Sequence, residues 1–158
     1  MKIAMSSSIT PIKLVLASAN LQLLEAAKAS LAAAPAIKLV GEARGGRQAL
    51  QLVSQRRPTL LIVDLTLPPT GGLPFLVQVR RRSPKTRVLT IDDELDEGQA
   101  LRVAKAGTYG YMVAAAIPAQ LAKAVRCIAS GEAWFSRKLM AKVWDELQLL
   151  VRLQVRAG

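Results

Sequence analysis

Short, continuous apolar runs alternate along this chain with longer segments in which apolar residues recur every three or four positions. The short runs are typical of strands buried on both faces of a parallel sheet, and the periodic segments are typical of amphipathic helices. The clearest run is Leu60–Asp64, which reads LLIVD and ends in a carboxylate. The five strands predicted in this way cover residues 12–17, 37–43, 60–64, 88–91 and 111–113.

A helical pattern follows each predicted strand. Asn20 is suited to cap the first helix, Pro35 ends it, and Pro118 suits the first turn of the fifth. On the third helix, Leu73, Leu76, Val77 and Arg80 are expected to share one stripe. The first, third and fourth predicted helices cover residues 21–33, 73–82 and 98–106. The second runs through Ala49, Leu50, Leu52 and Val53, and the fifth carries Leu121, Ala124, Val125 and Ile128. Strict alternation of strand and helix predicts an α/β fold, a doubly wound five-stranded parallel sheet with helices on both faces.

The pattern changes after Gly131, where a sixth helical segment has no strand before it. Residues 136–155 contain no helix breaker, and Ser136 is suited to cap this C-terminal extra helix. Its apolar stripe consists of Met140, Val143, Trp144, Leu147, Leu150 and Val151. This helix either folds back on the domain or offers the stripe to a partner, and the second alternative is favoured because five helices already cover the sheet.

The chain is therefore divided into a domain at residues 11–135 and a C-terminal amphipathic helix at residues 136–158, which serves as a linker or a dimerisation element. Four members of the stripe, Met140, Val143, Leu147 and Leu150, have the spacing of a short two-stranded seam. We accordingly expect a homodimer whose interface is largely supplied by this helix.

Asp64 is the first residue to consider for function. It lies at the carboxyl end of the third strand, and in open α/β sheets ligands and chemistry gather at that edge. The alternative is an aspartate that caps its own loop.

Composition limits the classes of function. The chain has no histidine, no metal-ligand cluster and no phosphate-binding glycine loop of the GxxxxGK type, so an enzyme is disfavoured and neither cofactor nor metal is expected. No apolar run is long enough to cross a bilayer, and the first ten residues do not read as a signal peptide. The single cysteine, Cys127, fits a reducing cytoplasm.

The net charge of +11, from 22 basic and 11 acidic residues, implies a basic surface. Such a surface attracts nucleic acid, anionic lipid or acidic proteins, or it serves only solubility. The runs Arg56-Arg57 and Arg80-Arg81-Arg82 could touch phosphates, but both end predicted helices, where cations stabilise the helix dipole. We therefore expect nucleic-acid binding to be at most weak and non-specific.

Five short motifs occur in a fixed order. They are Val40-Gly41-Glu42-Ala43, residues 46–50, Asp64-Leu65 with Pro68 and Gly72-Leu73, Ala106-Gly107 with Gly110-Tyr111, and Gly131-Glu132. In this order and spacing, residues 12–136 resemble the receiver domain of bacterial two-component response regulators, NarL/FixJ (LuxR-type) branch. The resemblance implies a receiver, or flavodoxin-like, fold in which the residue matching Asp64 accepts a phosphoryl group from a histidine kinase.

The resemblance also implies partners for that aspartate, and here the sequence departs from the family. Ser18-Ala19 replaces the acidic pair that helps hold Mg²⁺, and Ala114 replaces the lysine after strand five. Asp92 stands at the hydroxyl position after strand four, and Thr90 could fill it only if the alignment slipped by two residues. The sequence thus resembles a pseudo-receiver, with the fold kept and the phosphorylation chemistry lost.

Receivers of this branch continue into a helix-turn-helix domain, and residues 133–158 are too few for that unit. The sequence therefore indicates either a stand-alone protein with the sixth helix as its output or a fragment of a longer regulator. In both cases the predicted activity is regulation of a protein partner, through the C-terminal helix or through the face of helix four, strand five and helix five at residues 98–130. The competing classes are an enzyme and a DNA-binding transcription factor.

Overall fold

The structure, a computed structural model, describes residues 10–67 and 73–158. Pro68 and Gly72 of the motif after the third strand lie outside the described residues. The strands form one parallel sheet in the order β2-β1-β3-β4-β5, which confirms the predicted fold class. Their bounds are β1 Ile12–Ala17, β2 Ile37–Ala43, β3 Leu60–Asp64, β4 Arg87–Asp92 and β5 Gly110–Val113.

Helices cover both faces of the sheet. The bounds are α1 Leu21–Ala32, α2 Gly46–Arg56, α3 Leu73–Arg82, α4 Glu97–Lys105, α5 Ile117–Ala129 and α6 Arg137–Ala157. Alternate residues of β3 point to opposite faces, so that Leu60 and Ile62 pack with α1 and α5 while Leu61 and Val63 pack with α2, α3 and α4. The central strand is buried at every position, which explains its uninterrupted apolar run.

The capping residues identified in the sequence hold their helices. The Asn20 side chain accepts hydrogen bonds from the N–H groups of Gln22 and Leu23, and Ser136 accepts one from Leu139. Pro118 lies in the first turn of α5. The predicted stripe on α3 is wrong in part: Val77 and Arg80 are exposed, whereas Phe75, Leu76 and Val79 pack into the core. Phe75 provides the largest apolar surface on this helix, so its burial decides which face turns inward.

The first half of α6 folds back on the domain and packs along α4. Lys138 and Lys142 each lie 3.1 Å from the Glu97 carboxylate at the start of α4, and Lys105 at its end lies 2.6 Å from Glu146. The two helices therefore run side by side in the same direction. This is the alternative that the sequence disfavoured. Leu139 is buried in the core beneath the helix, and the exposed ion pairs flank this apolar contact.

The remaining residues of α6, 147–157, extend past the end of α4. All of them are exposed except Gln148. The predicted stripe of Met140, Trp144, Leu147, Leu150 and Val151 is not covered by this chain, and only Val143 is half-buried. In the described residues no helix combines the length and the apolar character needed to cross a bilayer.

The ion pairs of Glu97 make the docking of α6 sensitive to pH. Hydrogen bonds and charge attraction from Lys138 and Lys142 lower the pKa of Glu97 below its ordinary value. Because this pKa is lowered, the ionised Glu97 contributes to the free energy of docking at pH values above the ordinary pKa of glutamate. This contribution is lost as the pH falls through the lowered pKa. Glu97→Gln should therefore raise amide hydrogen exchange at the start of α6 at neutral pH. The contrast with the wild-type protein should shrink towards pH 3.

Glu132→Gln is the matched control, because Glu132 forms no ion pair among the described residues. Equal exchange in α6 for Glu97→Gln and Glu132→Gln would show that apolar contacts alone hold the helix.

Candidate functional site

Asp64 lies at the carboxyl end of the central strand and is 2% exposed. The parallel register pairs Ala17 of β1 with Val63 and Ile91 of β4 with Asp64. Ser18 and Asp92 therefore follow at the same edge of the sheet, one on each side of β3. The structure thus brings the predicted strand-end residues to one edge, as expected for a parallel sheet.

Both oxygens of the Asp64 carboxylate accept hydrogen bonds. Ser18 Oγ donates to Oδ2 at 2.6 Å, while the N–H and the hydroxyl of Thr66 donate to Oδ1 at 2.9 Å and 2.7 Å. Ser18 Oγ in turn accepts from the N–H of Asn20 at 3.0 Å. Asp64 therefore caps its own loop through Thr66, which is the alternative role considered for this aspartate in the sequence. Ser18 links Asp64 to the loop after β1.

Asp92 is held by other partners at the same edge. The Tyr111 hydroxyl donates to Asp92 Oδ2 at 2.7 Å, and the N–H of Asp93 donates to Oδ1 at 2.9 Å. The Tyr111 oxygen also accepts from the N–H of Asp96 at 3.0 Å. Burial of the phenol and its hydrogen bond to the Asp92 carboxylate raise the pKa of Tyr111 well above its ordinary value. Asp92 and Tyr111 thus join the end of β4 to β5.

Thr90 does not lie in the pocket. Its side chain is fully buried and donates to the carbonyl oxygen of Gly110 at 2.8 Å, within the sheet. Thr90 therefore offers no hydroxyl group to the carboxylates at this edge.

Ala19 and Ala114, the other two predicted site residues, offer no polar side-chain atom. Ala19 is exposed in the loop after β1, and Ala114 begins the 3-10 turn Ala114–Ala116 after β5. The residues at this edge do not fit Mg²⁺, because the cation prefers several carboxylate oxygens and here one carboxylate is already hydrogen-bonded to two hydroxyl groups. Within residues 10–67 and 73–158, no group of three or more His, Cys, Asp or Glu residues is placed to hold a metal ion.

A second surface lies on the face of α4, β5 and α5. A groove of about 330 Å³ opens there, and α6 forms one of its walls with Lys138, Leu139 and Lys142. Its floor is mainly apolar and includes Tyr111, Val113, Ala116, Trp134 and Phe135. The face expected to receive a partner is therefore partly covered by the chain's own C-terminal helix.

Sequence reasoning missed Thr66 and Tyr111. The threonine could have been found, because a hydroxyl residue two positions after an aspartate is a common loop-capping pattern. No signal in the sequence points to the Tyr111–Asp92 pair, whose members lie on different strands and meet only in the folded sheet.

The comparisons with known proteins agree with this geometry. The sequence profile of the response regulator receiver domain matches residues 17–126. The transcriptional activator protein ExaE of Pseudomonas putida is 35% identical over 104 residues, 66% of this chain and 49% of ExaE. The nitrate/nitrite response regulator protein NarL of Escherichia coli (strain K12) is 32% identical over 112 residues, 71% of this chain and 52% of NarL.

A solved structure shows the same fold. The two-component response regulator of the LuxR family from Aurantimonas sp. SI85-9A1 superposes with a TM-score of 0.75 at 24% identity, over 87% of this chain and 98% of that chain. The chain spans about half the length of the two curated relatives it matches.

Proposed function

This chain belongs to the response regulator receiver family, and on that basis we propose that it is an atypical receiver, a pseudo-receiver, that signals by binding protein partners rather than by catalysis. Its activity is largely independent of Mg²⁺-dependent aspartyl phosphorylation. The proposal rests on one observation, the state of the Asp64 carboxylate. Both of its oxygens accept short hydrogen bonds, from Ser18 and Thr66, and Ser18 stands where the family carries an acidic residue.

Phosphoryl transfer depends on positioning and on neutralising the charge of the transferring group. At this edge Ser18 and Ala19 supply no second carboxylate for a cation, and Ala114 supplies no ammonium group. Asp92 adds a negative charge that its bond to Tyr111 keeps in place. The pocket therefore lacks the groups that would stabilise an acyl phosphate.

The direct test is phosphorylation in solution. After treatment with acetyl phosphate, with or without Mg²⁺, the intact mass of the wild-type chain should not increase by a phosphoryl group, because the pocket lacks the neutralising groups. Asp64→Asn is the control. A stoichiometric gain of one phosphoryl group that disappears in Asp64→Asn would overturn the pseudo-receiver proposal.

Two surfaces serve the proposed partners. The groove on the face of α4, β5 and α5 would receive a protein segment, and the exposed stripe of α6 would receive a second copy of this chain. A homodimer through α6 is supported by the exposure of Leu147, Leu150 and Val151, which are 49%, 58% and 54% exposed among the described residues. The free Cys127 fits our assignment to the reducing cytoplasm.

A second function is favoured by the comparisons. ExaE is a transcriptional activator protein, and this chain spans about half of it. The chain would then be the receiver part of a NarL/FixJ-type DNA-binding regulator that is phosphorylated on Asp64. The acetyl phosphate experiment separates the two functions, since only this second one requires a stable phosphoryl group on Asp64. In either case residues 1–158 should bind nucleic acid at most weakly and without sequence preference.

A further inference from the structure

The charges of the domain are divided between the two ends of the sheet. Six of the 11 acidic residues lie in the segments that follow the carboxyl ends of β3 and β4, namely Asp64, Asp92, Asp93, Glu94, Asp96 and Glu97. At the opposite end, three helices finish in basic residues, which are Arg56 and Arg57 after α2, Arg80, Arg81 and Arg82 in α3, and Arg102 and Lys105 in α4. This basic end is remote from Asp64.

A cavity of about 570 Å³ opens at the basic end, between the last turn of α3, the loop before β4 and the turn from α4 to β5. Arg80, Lys85 and Arg87 are its charged residues, and no acidic residue lines it. Its floor is apolar and includes Leu76 and Val79. The cavity thus combines three positive charges with an apolar base.

Arg87 has a structural role. Its guanidinium donates to the carbonyl oxygens of Ile128 and Ala129 at 2.9 Å and 3.1 Å, and lies 5.0 Å from the centre of the Tyr109 ring. These contacts hold the end of α5 against β4 and fix one positive charge in the wall of the cavity.

Arg80 is placed by a glycine. Gly107 has a φ of +96°, in the left-handed region, and a Cβ at this position would overlap the Arg80 guanidinium. Arg80 therefore lies against the backbone of the α4–β5 turn, where the positive φ of residue 107 favours glycine.

The three positive charges of the cavity are not neutralised by ion pairs with described residues. Among the described residues, salt bridges are formed by Lys28, Lys105, Lys138 and Lys142, and none by Arg80, Lys85 or Arg87. The dipole of α3 favours Arg80 in its last turn, but Lys85 lies in a loop, beyond the reach of that effect. Like charges around one cavity repel each other, and an anion in the cavity would remove that repulsion.

We propose that this cavity is a binding site for a small ligand that carries a diphosphate or triphosphate group. The planar guanidinium of Arg80 suits two phosphate oxygens at once, Lys85 adds a point charge, and the apolar floor receives the rest of the ligand. The volume lies within the range of small-molecule sites. This site goes beyond the proposed partner binding and lies at the opposite end of the sheet from Asp64.

The test is calorimetric titration of the full chain at low salt with pyrophosphate, ADP and adenosine. Pyrophosphate and ADP should bind, and adenosine should not. Arg80→Ala and Lys85→Ala should each weaken binding of ADP at least about tenfold, since each removes a charged hydrogen bond to phosphate. Arg81→Ala is the matched control, because it removes the same charge from the same helical turn and Arg81 does not line the cavity.

The arms of the experiment also identify the source of the phosphate. Tighter binding of ADP than of pyrophosphate supports the site with a nucleotide as its ligand, and equal binding supports it with an inorganic polyphosphate.

Three results would overturn the proposal: no heat with either phosphate compound, equal binding of adenosine, or equal weakening by Arg81→Ala and Arg80→Ala. The last result, together with tighter binding of duplex DNA, would assign the basic end to nucleic acid instead. All three positions are exposed, so the variants should keep the wild-type melting temperature.

Discussion

Replacing Leu147 and Leu150 with glutamate should convert the proposed dimer into a monomer that keeps the fold of the domain. The two side chains are 49% and 58% exposed in the single chain and lie in the part of α6 that extends past α4. Burial of a leucine contributes on the order of 2 kcal/mol, and a symmetric dimer loses this contribution from two side chains in each chain. The added carboxylates would also repel each other across the seam. Light scattering over a range of concentrations measures the change in mass.

The same helix offers a matched control. Leu149 is similarly exposed, at 55%, and lies about 160° around α6 from Leu147, because each residue advances the helix by about 100°. Leu149→Glu should therefore leave the dimer intact, whereas Leu147→Glu alone should weaken it. A wild-type chain that is monomeric at high concentration, or a dimer that survives Leu147→Glu/Leu150→Glu, would disprove the seam.

Restoring the family's charges around Asp64 should create phosphorylation that we do not expect in the wild-type chain. The variant carries Ser18→Asp, Ala19→Asp, Asp92→Thr and Ala114→Lys, which supply two carboxylates, a hydroxyl and an ammonium group. With acetyl phosphate and Mg²⁺ its intact mass should rise by one phosphoryl group, because a cation and the lysine then neutralise the transferring group. The gain should be absent without Mg²⁺.

Two controls define this result. The same variant with Asn in place of each introduced Asp has nearly the same shape without the negative charge, and its mass should stay unchanged. Addition of Asp64→Asn should also abolish the gain. A folded charge-restored variant that is never phosphorylated would show that the pocket differs from a working receiver in more than these four side chains.

The fold could be predicted because the main signal is local. A run such as residues 60–63 is apolar at every position, and an uninterrupted apolar run indicates a strand buried on both faces, independently of the rest of the chain. The face of α3 was harder to predict. Val77 and Phe75 lie on different stripes of a short helix whose apolar pattern alone does not distinguish them, and the larger apolar surface of Phe75 favours the observed face.

The site was predictable in position but not in its contacts. Asp64 and Ser18 could be placed from strand ends and motifs, whereas the hydrogen bond between them depends on side-chain rotamers that sequence does not encode locally. The docking of α6 brings together residues far apart in sequence, such as Glu97 and Lys142, which are 45 positions apart. Pairs that distant in sequence leave no periodic signal.

The junction of α6 with α4 has a mechanical consequence. Since α6 is anchored only from Lys138 to Glu146, its last 11 residues form a lever roughly 16 Å long. A tilt of about 10° at the anchor displaces the tip by about 3 Å, close to the width of a side-chain contact. A small rotation of α4, of the kind that the proposed binding of a protein in the neighbouring groove would cause, would thereby be amplified at Leu150 and Val151. A protein bound in the groove would then change the orientation of the exposed stripe of α6. Binding of a second copy to that stripe would, in turn, favour one tilt of α6 and so change the shape of the groove.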